Sequence, residues 1–185
     1  MSNRLAIENQ ILFGDGTGQN ITGITTYASA FAAGDLADTV EKANIADALL
    51  AGITQLQMLN YNATGIVTSP VQRFKMRTLK DANGQPIIPV ASNSSATVVD
   101  GITVMAKNQI PAGKVLIGDF KRSKVKILTD LRVEMGYSTG DWENNRVSFR
   151  VESRLAHYIS DVDTAAFIYD DVDVIKAAIE AAPTV

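Results

Sequence analysis

The sequence contains no cysteine and only one histidine, His157. Without cysteine, the chain can form neither disulfide bonds nor thiolate metal sites, and it offers no cysteine nucleophile. A single histidine also leaves little scope for histidine-ligated metals or for a histidine general base. We therefore expect neither a metal nor another cofactor.

Positive charge and long apolar runs are also scarce. The 17 lysines and arginines are outnumbered by 20 aspartates and glutamates, which gives a formal net charge of −3. A dedicated nucleic-acid binder would need a basic excess, so that class is disfavoured. No apolar run approaches the roughly 20 residues of a membrane span, and we expect no membrane contact. The N-terminus lacks a basic-then-apolar signal pattern, which predicts a chain kept in the cytoplasm.

No group of residues has the spacing that catalysis requires. Ser153 and His157 lie four residues apart on a predicted strand, which separates them by about 13 Å. The glycine-rich turn 14–24 lacks the lysine of a phosphate loop and follows a helix rather than a strand. We expect no catalytic residue and no enzymatic activity. The rival from another class is a small-ligand α/β enzyme, which would need a deep pocket and an essential His157.

The longest regular feature is an alternation from Asn145 to Tyr158, with no glycine or proline inside it. A period of two predicts a strand, and this run would extend roughly 45 Å. We expect one face on a core, while Arg150, Glu152 and Arg154 share the other face. That charged face is either a solvated sheet surface or a contact with another subunit, where charge pairs set the register.

Other patterns predict a mixture of helices and strands. Residues 1–13 have helical spacing that stops at Gly14, and residues 25–35 are small and polar, typical of a loop. Asp38 and Glu41 match a capping box that would start a helix reaching residue 58. Ser69 and Pro70 predict a further helix start, with Val71 and Phe74 inward and an end near Lys80.

The remaining segments are mostly strands. Residues 85–97 contain two prolines and a Ser/Asn cluster, which is typical of a long surface loop. Apolar alternation predicts strands at 65–68, 98–105, 114–118, 125–128, 131–135 and 165–169, and a helix over 172–182 with Val172, Ile175 and Ile179 on one side. This order of elements predicts an α+β fold.

Six segments in order carry a family resemblance: Leu12–Gly18 with Gly23-Ile24; Ala63–Val67 with Pro70; Leu79-Lys80-Asp81 with Gly84 and Pro86-Ile87; Gly101-Ile102 with Val104; Ile110–Gly113 with Leu116–Phe120; and Asn145-x-Val147-x-x-Arg150-x-Glu152-x-Arg154. Together they resemble the major capsid proteins of tailed bacteriophages and prophages, with the Hong Kong ninety-seven type of capsid fold. Each segment is weak alone, and six in the family's order over nearly the whole chain are specific.

The resemblance implies a fold with two domains. Residues 25–125 would form the axial domain, residues 1–24 plus 126–170 the peripheral domain, and residues 171–185 a C-terminal helical tail. The long strand would lie beside a partial spine helix. Family members place an N-terminal arm, an extended loop and most of the spine helix before the glycine-rich turn. About a dozen residues precede it here, so we expect a shortened form, either an engineered fragment or a truncated prophage gene.

The resemblance also implies a function: a non-enzymatic shell subunit that self-associates into pentamers and hexamers to enclose a genome. Its partners would be further copies of the chain, with a portal, a scaffold and a maturation protease, and DNA only indirectly. Its place would be the virion capsid, after assembly in the host cytoplasm. An encapsulin-like cellular shell protein and a non-assembling prophage remnant stay as alternatives.

Some family members join subunits through a Lys–Asn isopeptide bond assisted by a glutamate. Asn145 and Glu152 fall where those two residues would lie on the long strand. The lysine would come from the extended loop, and an unbroken strand would turn Asn145 and Glu152 to opposite faces. The resemblance therefore makes Asn145 a candidate cross-link position.

Overall fold

The computed structural model describes residues 3–80, 83–85 and 97–182. Its helices are α1 (Asn3–Phe13), α2 (Ile24–Tyr27), α3 (Ile45–Met58), α4 (Pro70–Arg77) and α5 (Val172–Ile179). Its strands are β1 (Gly65–Thr68), β2 (Thr97–Val99), β3 (Ile102–Ala106), β4 (Lys114–Gly118), β5 (Lys124–Gly136), β6 (Ser148–Tyr158) and β7 (Phe167–Asp171). Short 3₁₀ helices lie at Gly34–Leu36, Phe120–Arg122 and Asp161–Ala166. Within these described ranges, no helix is both long and apolar enough to cross a bilayer.

The body of the protein is a five-stranded sheet in the order β2-β3-β1-β4-β7. Strand β1 runs parallel to β3, and the other neighbouring pairs are antiparallel. Apolar side chains project from both faces of this sheet, as expected when helices cover each side. One face packs with α3 and α5 through Ile66, Val104, Val115, Ile117 and Ile168. The other packs against α1 and α2 through Val67, Leu116 and Phe167.

Helix α3 begins later than the sequence pattern predicts. Asn44 is its N-cap, and the Asn44 side chain accepts from the backbone N–H of Asp47 at 3.1 Å, while Asp47 accepts from the Asn44 N–H at 2.9 Å. The predicted capping box at Asp38 and Glu41 is wrong. Asp38 has a left-handed φ of 55°, and Val40 forms a bridge to Glu180 instead of entering the helix. The pairs Asp38/Glu41 and Asn44/Asp47 both fit the sequence pattern of a capping box. The bridge between Val40 and Glu180 keeps residue 40 out of the helix, which therefore starts after Asn44.

Helix α4 starts as predicted, with Ser69 as N-cap accepting from the Gln72 N–H at 3.2 Å and with Pro70 as its first residue. Two details are wrong. The helix ends at Arg77 rather than near Lys80, and its inward residues are Gln72 and Met76. Val71 and Phe74 face outward and are exposed. The pairs 71/74 and 72/76 have equally helical spacing, so periodicity alone could not choose the buried side.

Three strand and loop predictions also need correction. The predicted strand 98–105 is the hairpin β2–β3, whose turn Asp100-Gly101 has positive φ at both residues, as a two-residue hairpin requires. The two strands predicted at 125–128 and 131–135 are one strand, β5, with register shifts between Ile127 and Arg132. The segment 25–35 contains most of α2 and the start of a 3₁₀ helix. The loop predicted at 85–97 lies mostly outside the described residues.

The C-terminal elements belong to the body. Strand β7 pairs with β4, and α5 buries Val172, Ile175 and Ile179 as predicted, although it ends at Ile179 rather than 182. Helix α5 packs on α3 and β7. The division into domains at 24/25 and 125/126 stays a prediction, but residues 167–171 share the sheet of β1 and β4. The segment predicted as a helical tail is docked on that same core.

Candidate interaction surface on the long hairpin

Strands β5 and β6 form a separate two-stranded sheet, here called the long hairpin together with its turn 137–147. The strands pair antiparallel from Lys124 opposite Tyr158 to Gly136 opposite Ser148. Thirteen residues of β5 extend about 43 Å at the usual rise per residue. No residue of β5 is buried, and His157 is the one buried residue of β6. The hairpin therefore presents both faces to its surroundings over most of its length.

One side of the hairpin is an exposed apolar face. Cross-strand partners share a face, and here they are Val125/His157, Ile127/Leu155, Val133/Val151 and Met135/Phe149. Val133 is 62% exposed and Phe149 is 68% exposed. The prediction that this side lies on a core is wrong for the outer half of the hairpin. A contiguous apolar face of this kind marks an interaction surface in folded proteins.

The opposite side is the charged face, formed by Arg132, Glu134, Arg150, Glu152 and Arg154. Glu134 pairs with both Arg132 and Arg150, and Arg154 Nε donates to Glu152 Oε1 at 2.8 Å. The hydrogen bond from Arg150 holds the pKa of the Glu134 carboxyl below its ordinary value, with the charges of Arg132 and Arg150 acting in the same direction. The three predicted residues thus share one face and pair within their own hairpin.

Arg132 and Glu134 were missed by the sequence reasoning because they sit beyond the register shifts of β5. The residues of β6 that lie opposite Arg132 and Glu134 cannot be found by counting along the sequence, because the register shifts change which residues are paired. All five charged side chains remain partly exposed, with Arg150 and Arg154 about two-thirds open to solvent. Pairs as exposed as these contribute little stability on their own. The exposed guanidinium groups of Arg150 and Arg154 remain accessible to a partner.

The tip of the hairpin differs from the predicted unbroken strand. Asn145 has a left-handed φ of 51° and lies in the turn, so β6 begins three residues later, at Ser148. The carboxylate of Asp141 organises this turn, accepting from the Ser148 hydroxyl at 2.6 Å and from the Ser138 N–H at 2.7 Å. These two hydrogen bonds lower the pKa of Asp141, with the Ser148 bond the larger cause. Asn145 and Glu152 would face opposite ways only on an unbroken strand, so that objection to a cross-link at Asn145 does not apply.

Two aromatic residues close the outer end of the hairpin. Tyr137 and Trp142 meet edge to face with ring centroids 5.5 Å apart, and Trp142 is 78% exposed. Aromatic residues combine a large apolar surface with a polar atom, which suits them to protein interfaces. The tip thus adds exposed aromatic surface to the outer end of the hairpin.

The base of the hairpin is fastened to the glycine-rich turn. His157 Nδ1 lies 2.7 Å from the carbonyl oxygen of Thr22, and its Nε2 lies 2.9 Å from Ser123 Oγ. A carbonyl oxygen only accepts, so Nδ1 carries the proton and donates to Thr22. His157 is thus a hydrogen-bonded residue of strand β6. Ser153, four residues earlier on the strand, is not its partner.

The glycine-rich turn needs its glycines for close backbone approach. A Cβ on Gly14 would lie 1.8 Å from the Ile21 carbonyl oxygen, and one on Gly23 would lie 2.5 Å from the Gly14 nitrogen. Gly16 and Gly18 adopt positive φ, a conformation that glycine takes without steric cost. Asp15 accepts hydrogen bonds from Thr17 and Asn20. These bonds lower the pKa of Asp15 to about 2, and the bond from the Thr17 backbone N–H is the largest cause.

The acidic residues near the C-terminus serve as structural partners. Asp163 is buried and accepts from Arg122 Nη1 at 3.1 Å. Asp170 accepts from the Phe31 N–H at 3.0 Å, and Asp171 caps α5. No cluster of metal-ligating side chains occurs among the described residues. In these regions the carboxylates hold the chain in place.

Comparison with known proteins identifies relatives of the chain. The family model described as "Phage capsid family" matches residues 1–169. The chain is 30% identical over 155 residues to the major capsid protein of Enterobacteria phage HK97, and the alignment covers 82% of this chain and 40% of that protein. The chain therefore spans about two fifths of the length of this curated relative.

Solved structures share its fold. The capsid of an empty GTA particle, computed with C5 symmetry, matches with a TM-score of 0.67 at 23% identity, over 90% of this chain and 63% of that chain. A structure from Microbacterium phage Oxtober96 matches with a TM-score of 0.64 at 17% identity, over 89% of this chain and 60% of that chain. At such identities the likeness establishes the fold, and the expected α+β capsid fold is confirmed.

Proposed function

Since the chain belongs to the phage capsid family, we propose that it serves as a structural subunit of a bacteriophage or prophage capsid shell. In this role the chain self-associates into pentamers and hexamers, which close into a container for the genome. The exposed apolar face of the long hairpin is the observation that carries the proposal. A two-stranded sheet with no covering layer is marginal in water, so a partner that covers it stabilises the assembled state.

The two faces of the hairpin have different tasks in this proposal. Burial of the apolar face against a neighbouring subunit supplies free energy, at about 25 cal/mol for each Å² removed from water. The charged face, with Arg150, Glu152 and Arg154, sets register and rejects wrong orientations, because like charges brought together there are unfavourable. The alternating signs along this face permit pairing only in particular alignments.

Further partners follow from the same setting. We propose that the shell assembles in the host cytoplasm with a portal, a scaffold and a maturation protease as partners, and that the finished shell is the capsid of the virion. The shell encloses DNA without binding it tightly, since a chain with net charge −3 has no overall basic excess to pair with phosphates. Catalysis has no part in this role.

A covalent link through Asn145 belongs to the proposal as a separate step. Asn145 is exposed in the hairpin turn, where a lysine from a neighbouring copy could reach its amide. Bond formation would join lysine Nζ to the side-chain amide carbon Cγ of Asn145, break the Cγ–Nδ2 bond and release ammonia. A ladder of covalent multimers on denaturing gels, lost in Asn145→Ala, supports the link. Shells that dissolve entirely into single chains in denaturant rule it out.

Sedimentation velocity across a concentration series, combined with electron microscopy of the same samples, tests the shell function. We expect species at five or six times the chain mass, or larger closed particles. A non-assembling remnant would sediment as a monomer at every concentration. Particles that retain a cargo enzyme when purified from cells would instead support the encapsulin-like alternative.

A further inference from the structure

A single aromatic side chain protrudes from α4. Phe74 is 68% exposed, although it lies within a helix packed on the sheet. The buried residues Gln72 and Met76 each lie two positions away, and two positions correspond to about 200° around a helix. Phe74 therefore points away from the core. Val71 is exposed one turn earlier on the same side.

Phe74 stands in basic surroundings. Helix α4 carries Arg73, Lys75 and Arg77 and contains no acidic residue. Lys75 is exposed, and Arg73 Nε donates to Thr97 Oγ1 at 3.2 Å, which holds this end of α4 against β2. Phe74 is thus an exposed apolar residue, here called the knob, on a helix whose charged residues are all basic, in a chain whose overall charge is negative.

An apolar pocket lies elsewhere on the body. It has a volume of about 130 Å³ and sits between α3, the end of α5 and the segment 36–40, where Leu36, Val40, Leu50, Ala51 and Ile179 line it. An apolar cavity of about 150 Å³ is known to accept benzene. The pocket is therefore of the size that takes one phenyl ring.

The rim of this pocket is acidic. Asp47 lines it directly. Asp35, Asp38 and Glu41 are exposed on the adjoining segment, against one exposed cation, Lys42. The pocket therefore has the charge opposite to that around Phe74, and the two features are complementary in both shape and sign.

The knob and the pocket lie at different places on one chain. No residue of α4 lines the pocket, and the α5 residue that borders it, Ile179, belongs to a helix on β7, three strand spacings of about 4.8 Å from the β3 that α4 contacts. Phe74 is also directed outward, away from α3 and α5. A knob and a complementary pocket at different places on one surface generate a head-to-tail contact, which closes into a ring when the rotation permits.

We propose that Phe74 of one copy enters the pocket between α3, α5 and segment 36–40 of the next copy, with the basic residues of α4 against its acidic rim. This contact rests on the proposed shell function and gives it a specific ring interface. It is distinct from the surface of the long hairpin. Anchoring aromatics at interface centres dominate binding, so Phe74→Ala should weaken the association about 30-fold.

Site-directed cross-linking tests the contact in a chain that has no cysteine of its own. Val71→Cys places a thiol beside the knob, and Thr39→Cys places one at the pocket, which Thr39 helps to line. A short bis-maleimide should join the double variant into a ladder of two, three and more chains. Adding Phe74→Asp should abolish the ladder. A pair of Val71→Cys with Val162→Cys, which is 79% exposed away from the pocket, is the control.

Mixing two blocked variants tests the direction of the contact. Phe74→Asp removes the knob and keeps the pocket, whereas Thr54→Trp fills the pocket and keeps the knob. With Val71→Cys and Thr39→Cys in both, each variant alone should give no bis-maleimide ladder, and a mixture should give cross-linked 1:1 dimers and nothing larger, whatever the hairpin surface contributes to the total mass. Circular dichroism and thermal unfolding check that both variants are folded; Thr54→Leu replaces Thr54→Trp if the larger side chain prevents folding.

The outcomes separate this inference from the shell function. Wild-type rings that persist in Phe74→Asp overturn the knob contact and leave the shell function standing. A wild-type monomer that also gives no ladder overturns both. Phe74→Asp that loses bound nucleic acid, with oligomer mass unchanged, would assign the basic surface to a polyanion and overturn the contact. A ladder lost in Phe74→Asp, with 1:1 dimers in the mixture, supports it.

Discussion

The imidazole of His157 donates from Nδ1 to the carbonyl oxygen of Thr22 over 2.7 Å, joining residues 135 positions apart. This hydrogen bond ties the base of the long hairpin to the turn that follows α1. The second ring nitrogen meets Ser123, just before β5 begins. One buried side chain thus connects both strands of the hairpin to the glycine-rich turn.

Replacing His157 with alanine should destabilise the fold by about 1–3 kcal/mol, because the Thr22 carbonyl loses its partner in a buried setting. Amide hydrogen exchange should also accelerate at the base of β5 and β6. Urea unfolding and exchange mass spectrometry measure the two effects. Ser153→Ala, an exposed change on the same face, should leave both unchanged. Equal behaviour of the two variants would contradict the anchoring role.

Gly14→Ala should destabilise the protein by about 3 kcal/mol or more, because the new Cβ would lie 1.8 Å from the Ile21 carbonyl oxygen. Gly136→Ala is the matched control, since nothing lies within 4 Å of its Cβ position and its φ is not positive. That control should be neutral or slightly stabilising. Thermal unfolding of the two variants decides. A stable Gly14→Ala would mean that the turn has another conformation.

Asn44→Ala should cost about 1 kcal/mol, because α3 loses its N-cap. Glu41→Ala should stay within about 0.5 kcal/mol, since Glu41 is exposed and precedes the helix. Chemical unfolding of both variants distinguishes the observed capping box from the one predicted at Asp38 and Glu41. A larger loss from Glu41→Ala would restore the earlier helix start.

The contribution of Asp15 should depend on pH. Folding lowers its pKa from 3.8 to about 2 through hydrogen bonds from Thr17 and Asn20, so ionised Asp15 favours the folded state. That stabilisation is complete above pH 4–5 and is lost as the pH falls toward about 2. Urea midpoints of wild type and Asp15→Asn should differ near neutrality and converge near pH 2. Asp35→Asn controls for removal of an exposed charge. A gap that is constant across this range would contradict the role of Asp15.

Alternation in the sequence predicted β6 and its two faces, but not their surroundings. Val147, Phe149 and Val151 repeat with the same period whether a core or a neighbouring subunit covers them. The prediction of a core was therefore wrong where the hairpin leaves the body, and correct at His157, where β6 meets the body. Only the tertiary arrangement determines which layer, if any, lies over a strand.

Local patterns also left several choices open. The turn at Asn145 and the register shifts of β5 follow from contacts across the hairpin, so neither the start of β6 nor the partners of Arg150 could be counted from the sequence. The orientation of α4 was lost for a related reason, because 71/74 and 72/76 are equivalent by spacing. The exposure of Phe74, on which the proposed ring contact depends, follows from the burial of Gln72 and Met76 on the other side of α4.

The mass of the protein in solution, measured by light scattering behind a sizing column across concentration, tests the central claim most directly. Val133→Lys places a charge on the apolar face of the hairpin, and Val162→Lys places one at an even more exposed valine elsewhere. We predict pentamers, hexamers or larger particles for wild type and for Val162→Lys, and much smaller species for Val133→Lys. A wild-type monomer at every concentration, or identical masses for all three proteins, would contradict a shell subunit that associates through this hairpin.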